Sequence, residues 1–392
     1  MHHPSRISIS ELLPMRVWIW GCRNMGAIAG RLILNNGGSI AGFVDNDYSV
    51  QNTLVMSVKV YSPSDFYREF SAEDCILLCC NESNNQAIYE QLLNQGIDKN
   101  IRSIDFHAFD KIQEKWGEFI EREDEKRIIS KCCNEYDFKQ NWFLEIKEKL
   151  GWKGKRLHRK LWEFAFISKV LEDRNMLMPG KKGIGFAVGE EPLPCYFASK
   201  GAEIMATDLG LTHKTANLWV ETGQNAGGDM NKLWKPQMIS KREFDERVSY
   251  RDVDMNEIPE DIGKYDFCWS SCAIEHVGGL ALSKEFMKNM IKVLKPGGVA
   301  VHTTEFNLWS NDDTEEDGYS VIYRRKDFEE LKEWYANHDC YMDISFRRGC
   351  GASEMFLPFP PYEDDDTRDH LNLMVGKYAS TSFGLVIMRG EA

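Results

Sequence analysis

Short apolar runs alternate with amphipathic stretches along most of this chain, and their order predicts strands and helices in turn. From Met15, MRVWIWGCRNMGAIAGRLILNNGGSIAGFVDND reads as a strand, a turn bounded by Gly21 and Gly26, an amphipathic helix, and a strand finishing at Asp45. CILLCCN (Cys75 to Asn81) reads as a further strand, NNQAIYEQLLNQG as a helix and IRSIDF as a short strand, which completes an α/β domain over 1–110. Residues 111–150 are rich in Glu, Lys and aromatic side chains with few turn formers, a pattern that predicts a helical connector. GKRLHRKLWEFAFISKVLEDRNML has apolar residues at helical spacing and is stopped by Pro179 and Gly180. GIGFAVGEEPLPCYFASKGAEIMATD (Gly183 to Asp208) then reads as strand, glycine-rich turn, helix and a strand ending in an acid. RVSYRDVDM, YDFCWSSCAIEHV, a helix ending in KVLKPGG, VAVHTTEF and STSFGLVIMRG continue the alternation, so 151–392 is expected to form a second, mostly parallel sheet.

Length and charge narrow the partners. A chain of 392 residues accommodates two cores. Its formal charge of −13 opposes a phosphate-tracking surface, which argues against nucleic acid as a partner. Its 11 cysteines form no CxxC pair or zinc-finger spacing, so reduced thiols in a cytoplasmic protein are expected. The opening MHHPSRISISELLP lacks the apolar stretch of a signal peptide, and runs such as CILLCC are too short to span a bilayer. A homo-oligomer is compatible with all of this.

Open parallel sheets place ligands beyond the carboxyl ends of their strands, so the residues closing each apolar run are the candidates. In the second half these are the turn Gly185, Phe186, Ala187, Gly189 and Glu190, then Asp208 with Leu209, Asp254 with Met255, the segment Ser270 to His276, and His302 to Glu305. Glycine lets backbone approach a ligand, the helix after the turn aims free amides at the same place, and Asp208 can accept hydrogen bonds from ribose hydroxyls.

The order of these motifs over Gly183 to Arg389 resembles class I S-adenosylmethionine-dependent methyltransferases. The resemblance implies a seven-stranded Rossmann-like sheet and S-adenosylmethionine as cofactor. It also implies that Gly185 and Gly189 hold the methionine part, Asp208 the ribose and Asp254 with Met255 the adenine, with Phe186, Ala187, Glu190, Leu209 and Ser271 lining the same site. Two departures stand out: the middle glycine is Ala187, and the usual acid before the turn is absent, with Gly183 nearby. EHVGG, VLKPGG and HTTEFN are similar to later motifs of the same family. GFAVGEEPLP, CWSSCAIEH, HTTEFN and TSFGL resemble a subgroup associated with bacterial surface-polysaccharide synthesis. That narrower resemblance implies O-methylation of a sugar of a cell-surface glycan or its precursor, with a small molecule or glycan as acceptor.

A hydroxyl acceptor must lose a proton, and neutral imidazole suits that task. His276 and His302 are the candidate bases, with Glu275 and Glu305 orienting the rings or contacting a sugar hydroxyl. These acids and Asp254 are also of a type that binds magnesium, but nothing in their spacing fixes a metal geometry, and none is assigned. Trp219 and Trp269 are candidates for ring stacking, with core packing the commoner fate. Arg324/Arg325 and Arg347/Arg348 are candidates for a phosphorylated acceptor, or plain surface charge. EDDD at Glu363 to Asp366 reads as a solvated loop.

In the first domain GFVDND is similar to the second strand and loop of Rossmann-like modules of bacterial sugar-modifying enzymes, a resemblance that covers about the first hundred residues. The domain's glycines are spaced GxxxxG and lack the Lys-Ser/Thr ending of a P-loop, while Asp45 could meet a ribose. A nucleotide or nucleotide-sugar site and a structural role are both open. Two alternatives to the leading reading follow: a bifunctional protein with an NAD(P)-binding oxidoreductase module, and a noncatalytic glycan-assembly scaffold.

Overall fold

The computed structural model describes residues 5–7, 9–35, 37–80, 82–104, 119–120, 128–213, 224–318, 320–349, 352–355, 369–376 and 378–391. The chain divides into two units, Met1–Trp116 with Gly376–Tyr378, and Gly117–Val375 with Ala379–Ala392.

The first unit holds strands β1 (Ser5–Ile7), β2 (Arg16–Trp20), β3 (Ser39–Val44), β4 (Leu54–Val55), β5 (Val58–Tyr61), β6 (Cys75–Leu78) and β7 (Ile101–Ile104). They form one sheet in the order β1-β7-β6-β2-β3-β5-β4, parallel except for the β4–β5 pair. Central strands are apolar throughout because such a sheet is covered on both faces: β6 is buried at every residue, and β2 after its first. Phe66, from the helix Pro63–Glu69, meets Trp18 and Trp20 edge-on, each at 5.1 Å.

The second unit holds β8 (Phe119–Ile120), β9 (Lys131–Cys132), β10 (Lys182–Gly185), β11 (Glu203–Asp208), β12 (Val248–Asp252), β13 (Tyr265–Ser271), β14 (Leu294–Asn307), β15 (Cys340–Tyr341), β16 (Arg348–Gly349), β17 (Asn372–Val375) and β18 (Tyr378–Arg389). Its main sheet runs β12-β11-β10-β13-β14-β18-β15, with β9 and β17 also paired to β18. β8 and β16 pair apart from it. Among the described residues the sheet has nine strands, which corrects the expected count of seven. The reason lies in β18, whose 12 residues leave room on one edge for β15 against Met388 and Arg389 and for β9 against Phe383 and Gly384. β10 to β14 are mutually parallel, whereas β18 runs antiparallel to β14.

Residues 111–150 do not form a separate connector in their described part. Phe138, Phe143, Ile146 and Leu150 join the core of the second unit, because the helix Asn141–Lys149 presents an apolar face to the helix Arg159–Asp173. That second helix is buried nearly all round and lies on β18 so closely that a Cβ at Gly384 would come within 2.2 Å of Phe166.

Candidate active site

The turn after β10 owes its shape to packing beneath it. A Cβ on Gly183 would meet the Phe267 ring at 2.2 Å and one on Gly185 would meet the Trp269 ring at 2.4 Å, so glycine lets the aromatic row of β13 lie against β10. Above them the chain turns back through two left-handed residues, Ala187 (φ +51°) and Gly189 (φ +52°). Asp208, at the tip of β11, locks this turn: Oδ2 accepts from the Gly189 N–H at 3.0 Å and Oδ1 from the Leu209 N–H at 3.1 Å. Burial raises its carboxyl to about 6, against the backbone donors that favour the charged form.

A cavity of about 660 Å³ opens over these tips. The expected residues Ala187, Gly189, Glu190, Asp208, Leu209, Asp254, Met255, Ser271 and His276 line it, joined by Trp152, Lys160, Phe164 and Glu191. Gly185 and Phe186 lie beneath: Phe186 is buried edge-on to Phe286, with its N–H donated to the Trp269 carbonyl. Asp254 Oδ1 caps its own turn through the Asn256 N–H at 2.8 Å.

The four residues expected to carry proton chemistry separate. His276 reaches the cavity, with Nε2 4.0 Å from Glu275 Oε1. Glu275 is buried behind it, where Oε2 accepts from Thr304 Oγ1 at 3.1 Å. Burial raises its proton affinity, opposed by His276 and reinforced by the Glu305 charge. His302 does not reach the cavity. It is wholly buried, its Nδ1 2.7 Å from Ser270 Oγ and its ring edge-on to Phe286, and burial drives its pKa to about 3. Side chains alternate along β14, so His302 faces the Phe286 helix while Thr303 and Glu305 face the helix Arg159–Asp173. Glu305 is likewise removed from the cavity: Oε1 takes Arg159 Nη1 at 2.6 Å and Oε2 takes Ser380 Oγ at 2.6 Å.

Sequence reading passed over the hub of this region, Glu163. Fully buried, it accepts from Lys160 Nζ at 2.9 Å, Ser382 Oγ at 2.6 Å and Ser271 Oγ at 3.0 Å, with Arg159 Nη1 at 3.3 Å. Despite the burial that opposes charge, Lys160 and Arg159 hold its carboxyl down at about 2. The signal was present in HRKLWEFAF, where an acid three and four residues after two bases sits inside an apolar helix. Cys272 (φ +45°), Glu275 and Glu305 place ligand-type atoms within 4.8 Å of one another, and Arg159 supplies the positive charge there, donating to Cys272 Sγ at 3.6 Å as well as to Glu305.

Other candidates serve the fold. The Trp269 ring is buried against Phe267, although its Nε1–H reaches Glu191 Oε1 at 2.7 Å. Burial raises the Glu191 carboxyl to about 8. Arg324 is spent on Asp327 and Glu316, Arg325 on Glu329, and Arg348 is buried; none of these, nor exposed Arg347, lines the cavity. Trp219 and Glu363 to Asp366 lie outside the described residues. In the first unit, Gly21 (φ +99°) and Gly26 are demanded by packing, since a Cβ on Gly26 would fall 1.7 Å from the Gly21 carbonyl oxygen. Asp45 there accepts from the Cys22 N–H at 3.0 Å and Arg23 is paired with Asp47. Among the described residues no helix is long and apolar enough to cross a membrane.

A sheet with a parallel core, at whose strand tips a glycine turn, two acids and a cavity converge, is a Rossmann-like arrangement. Residues 187–302 match the methyltransferase domain family. The chain is accordingly a methyltransferase, and S-adenosylmethionine is its cofactor. Among solved structures, magnesium protoporphyrin IX methyltransferase from Synechocystis PCC 6803 is 10% identical, with 64% of this chain and 93% of that one covered at a TM-score of 0.35. A SAM-dependent methyltransferase from Methanosarcina mazei is 14% identical, covering 56% and 98% at 0.34. One from Aquifex aeolicus is also 14% identical, covering 56% and 88% at 0.32. At these scores they add nothing to what the domain match shows. No curated protein matches the chain.

The residues present fit the cofactor. A carboxylate offers about four lone-pair sites, and the backbone donors of Gly189, Leu209 and Ala226 at Asp208 leave capacity for a hydroxyl donor from a ribose. The cavity volume is also that of a site for a ligand of this size.

Proposed function

We propose that this methyltransferase transfers a methyl group to a sugar hydroxyl of a cell-surface glycan or its precursor. The observation that carries the reading is His276 on the cavity wall with the buried Glu275 carboxylate behind it. Bound over Asp208 and Asp254, S-adenosylmethionine would supply an electrophilic methyl group. His276 accepts the proton of the acceptor hydroxyl, and Glu275 stabilises the imidazolium that results. Glu275 is itself fixed by Thr304, so the pair is oriented before an acceptor arrives. Trp152 and Phe164 give the cavity apolar walls of the kind that pack on a sugar ring, while Lys160 and Ser271 add polar groups tied to Glu163. The resemblance of GFAVGEEPLP, CWSSCAIEH, HTTEFN and TSFGL to polysaccharide-associated methyltransferases supports the glycan assignment.

The test is incubation with labelled S-adenosylmethionine and a panel of nucleotide sugars and extracted glycans. Transfer to a sugar by the wild type, lost in His276→Ala while S-adenosylhomocysteine still binds, is the expected result. Transfer that survives His276→Ala at the wild-type rate would remove the proposed base.

A further inference from the structure

Among the described residues, four acids line the cavity, and they are not equally committed. Asp208 accepts backbone N–H groups of Gly189, Leu209 and Ala226, Asp254 caps its own turn, and Glu190 is paired with Lys232 at 2.9 Å. Glu191 differs: Oε1 is clamped by the buried Trp269 indole at 2.7 Å, and among the described residues no donor meets Oε2. Among the described residues, the lysine that lines the same cavity is Lys160, with 34% of its side chain exposed. One of the three ammonium hydrogens goes to Glu163, which leaves two free to point elsewhere. Lys160 lies close enough to Glu191 to lower its proton affinity, yet the two form no ion pair within 4.0 Å.

An acid with an open oxygen and a lysine with open donors, held apart on one wall, complement an α-amino-acid zwitterion. The tips of adjacent strands also set an order. Asp254 follows β12, Asp208 ends β11, and Glu191 follows the β10 turn while bonded to Trp269 of β13. With adenine at Asp254 and ribose at Asp208, the remaining amino-acid end of the donor falls to Glu191 and Lys160. We infer that Glu191 receives the α-ammonium and Lys160 the α-carboxylate of the donor, replacing the acid that this chain lacks before its glycine turn. The inference rests on the donor-site reading given above and adds the residues that recognise the tail. Burial that raises the Glu191 carboxyl to about 8 is consistent with a group awaiting a cationic partner.

Calorimetry with three probes on the full chain tests this: S-adenosylmethionine, S-adenosylhomocysteine and 5′-methylthioadenosine, which keeps the nucleoside and lacks the amino-acid tail. Glu191→Gln and Lys160→Met are each expected to weaken both tailed ligands by about 10-fold or more, as loss of a charge-assisted hydrogen bond does, with 5′-methylthioadenosine unchanged. Retained 5′-methylthioadenosine binding also shows that each variant is folded. Equal weakening of all three probes, or no change in any, would overturn the subsite. Failure of the wild type to bind any probe would instead overturn the donor site itself, and the subsite with it.

Discussion

The two glycine turns of this protein look alike as sequence and behave differently as structure. Each follows an apolar strand, precedes a helix and has an acid at the end of the next strand. In the first unit Gly26 sits against the Gly21 carbonyl, Asp45 holds the Cys22 amide, and the nearby cation Arg23 is taken by Asp47. Among the described residues there, the Asp45 carboxylate and the Arg23 guanidinium are both engaged within the turn and the loop that follows the next strand. In the second unit Asp208 also ties its turn, yet it lines a cavity together with Asp254 and His276. Glycine spacing therefore marks a tight strand-to-helix turn, and the disposition of the surrounding charges decides whether the turn serves a ligand. That comparison gives no support to the NAD(P)-linked oxidoreductase alternative, and the methyltransferase domain over 187–302 disfavours a noncatalytic scaffold.

The sharpest asymmetry is His276, which has no counterpart at the first turn. His276→Ala should lower methyl transfer by about 10²–10⁴-fold, measured with labelled donor once an acceptor is in hand, while leaving S-adenosylhomocysteine affinity unchanged. Gly26→Ala should destabilise the first unit by about 3 kcal/mol, because the added carbon meets backbone that cannot swing aside. Denaturant unfolding measures that loss, and unaltered S-adenosylhomocysteine binding would confirm that the first turn is structural. The acids make the next contrast. Asp208→Ala should cost about 10- to 100-fold in S-adenosylhomocysteine affinity, whereas Asp45→Ala should cost none; equal effects would erase the distinction between the turns.

The smallest expected effect is on pH. Burial pushes the Asp208 carboxyl up to about 6, so the ionised form that would accept ribose hydroxyls is expected to be lost as pH falls through that value. Affinity for S-adenosylhomocysteine should drop several-fold between about pH 7 and pH 5, and Asp208→Asn should flatten the profile. For folding the sign is reversed. The native state holds this proton more tightly than the unfolded chain, whose carboxyl titrates near 3.8, so the group's stabilising contribution is present below that value and disappears as pH rises through about 6.

Alternation of apolar runs was enough to read both α/β units and the strand tips that carry Asp208, Asp254 and His276, since each lies at the end of a run that burial makes legible. Side-chain direction was less accessible. His302 and Glu305 stand on one strand buried on both faces, where the polar residue facing a cavity and the one facing a helix have the same sequence surroundings. Glu163 and Glu191 were missed for a related reason: both act through partners far away in the chain, Ser382 for one and Trp269 for the other. The extra pairings of β9 and β17 depend on two- and four-residue strands, too short to show a period.

The segment that carries the family signature, 187–302, is not a unit that could be cut out and kept. Trimming to it would discard β10 and β18, cut β14 short after His302, and remove the helix that brings Arg159, Lys160 and Glu163 to the sheet. Glu275 and Ser271 would survive in such a fragment without the charges and hydroxyls that balance them. A minimal catalytic piece must therefore reach back to Lys131 of β9 and forward through Arg389, which sets a practical limit on miniaturising this enzyme or grafting its methyl-transfer half onto another carrier.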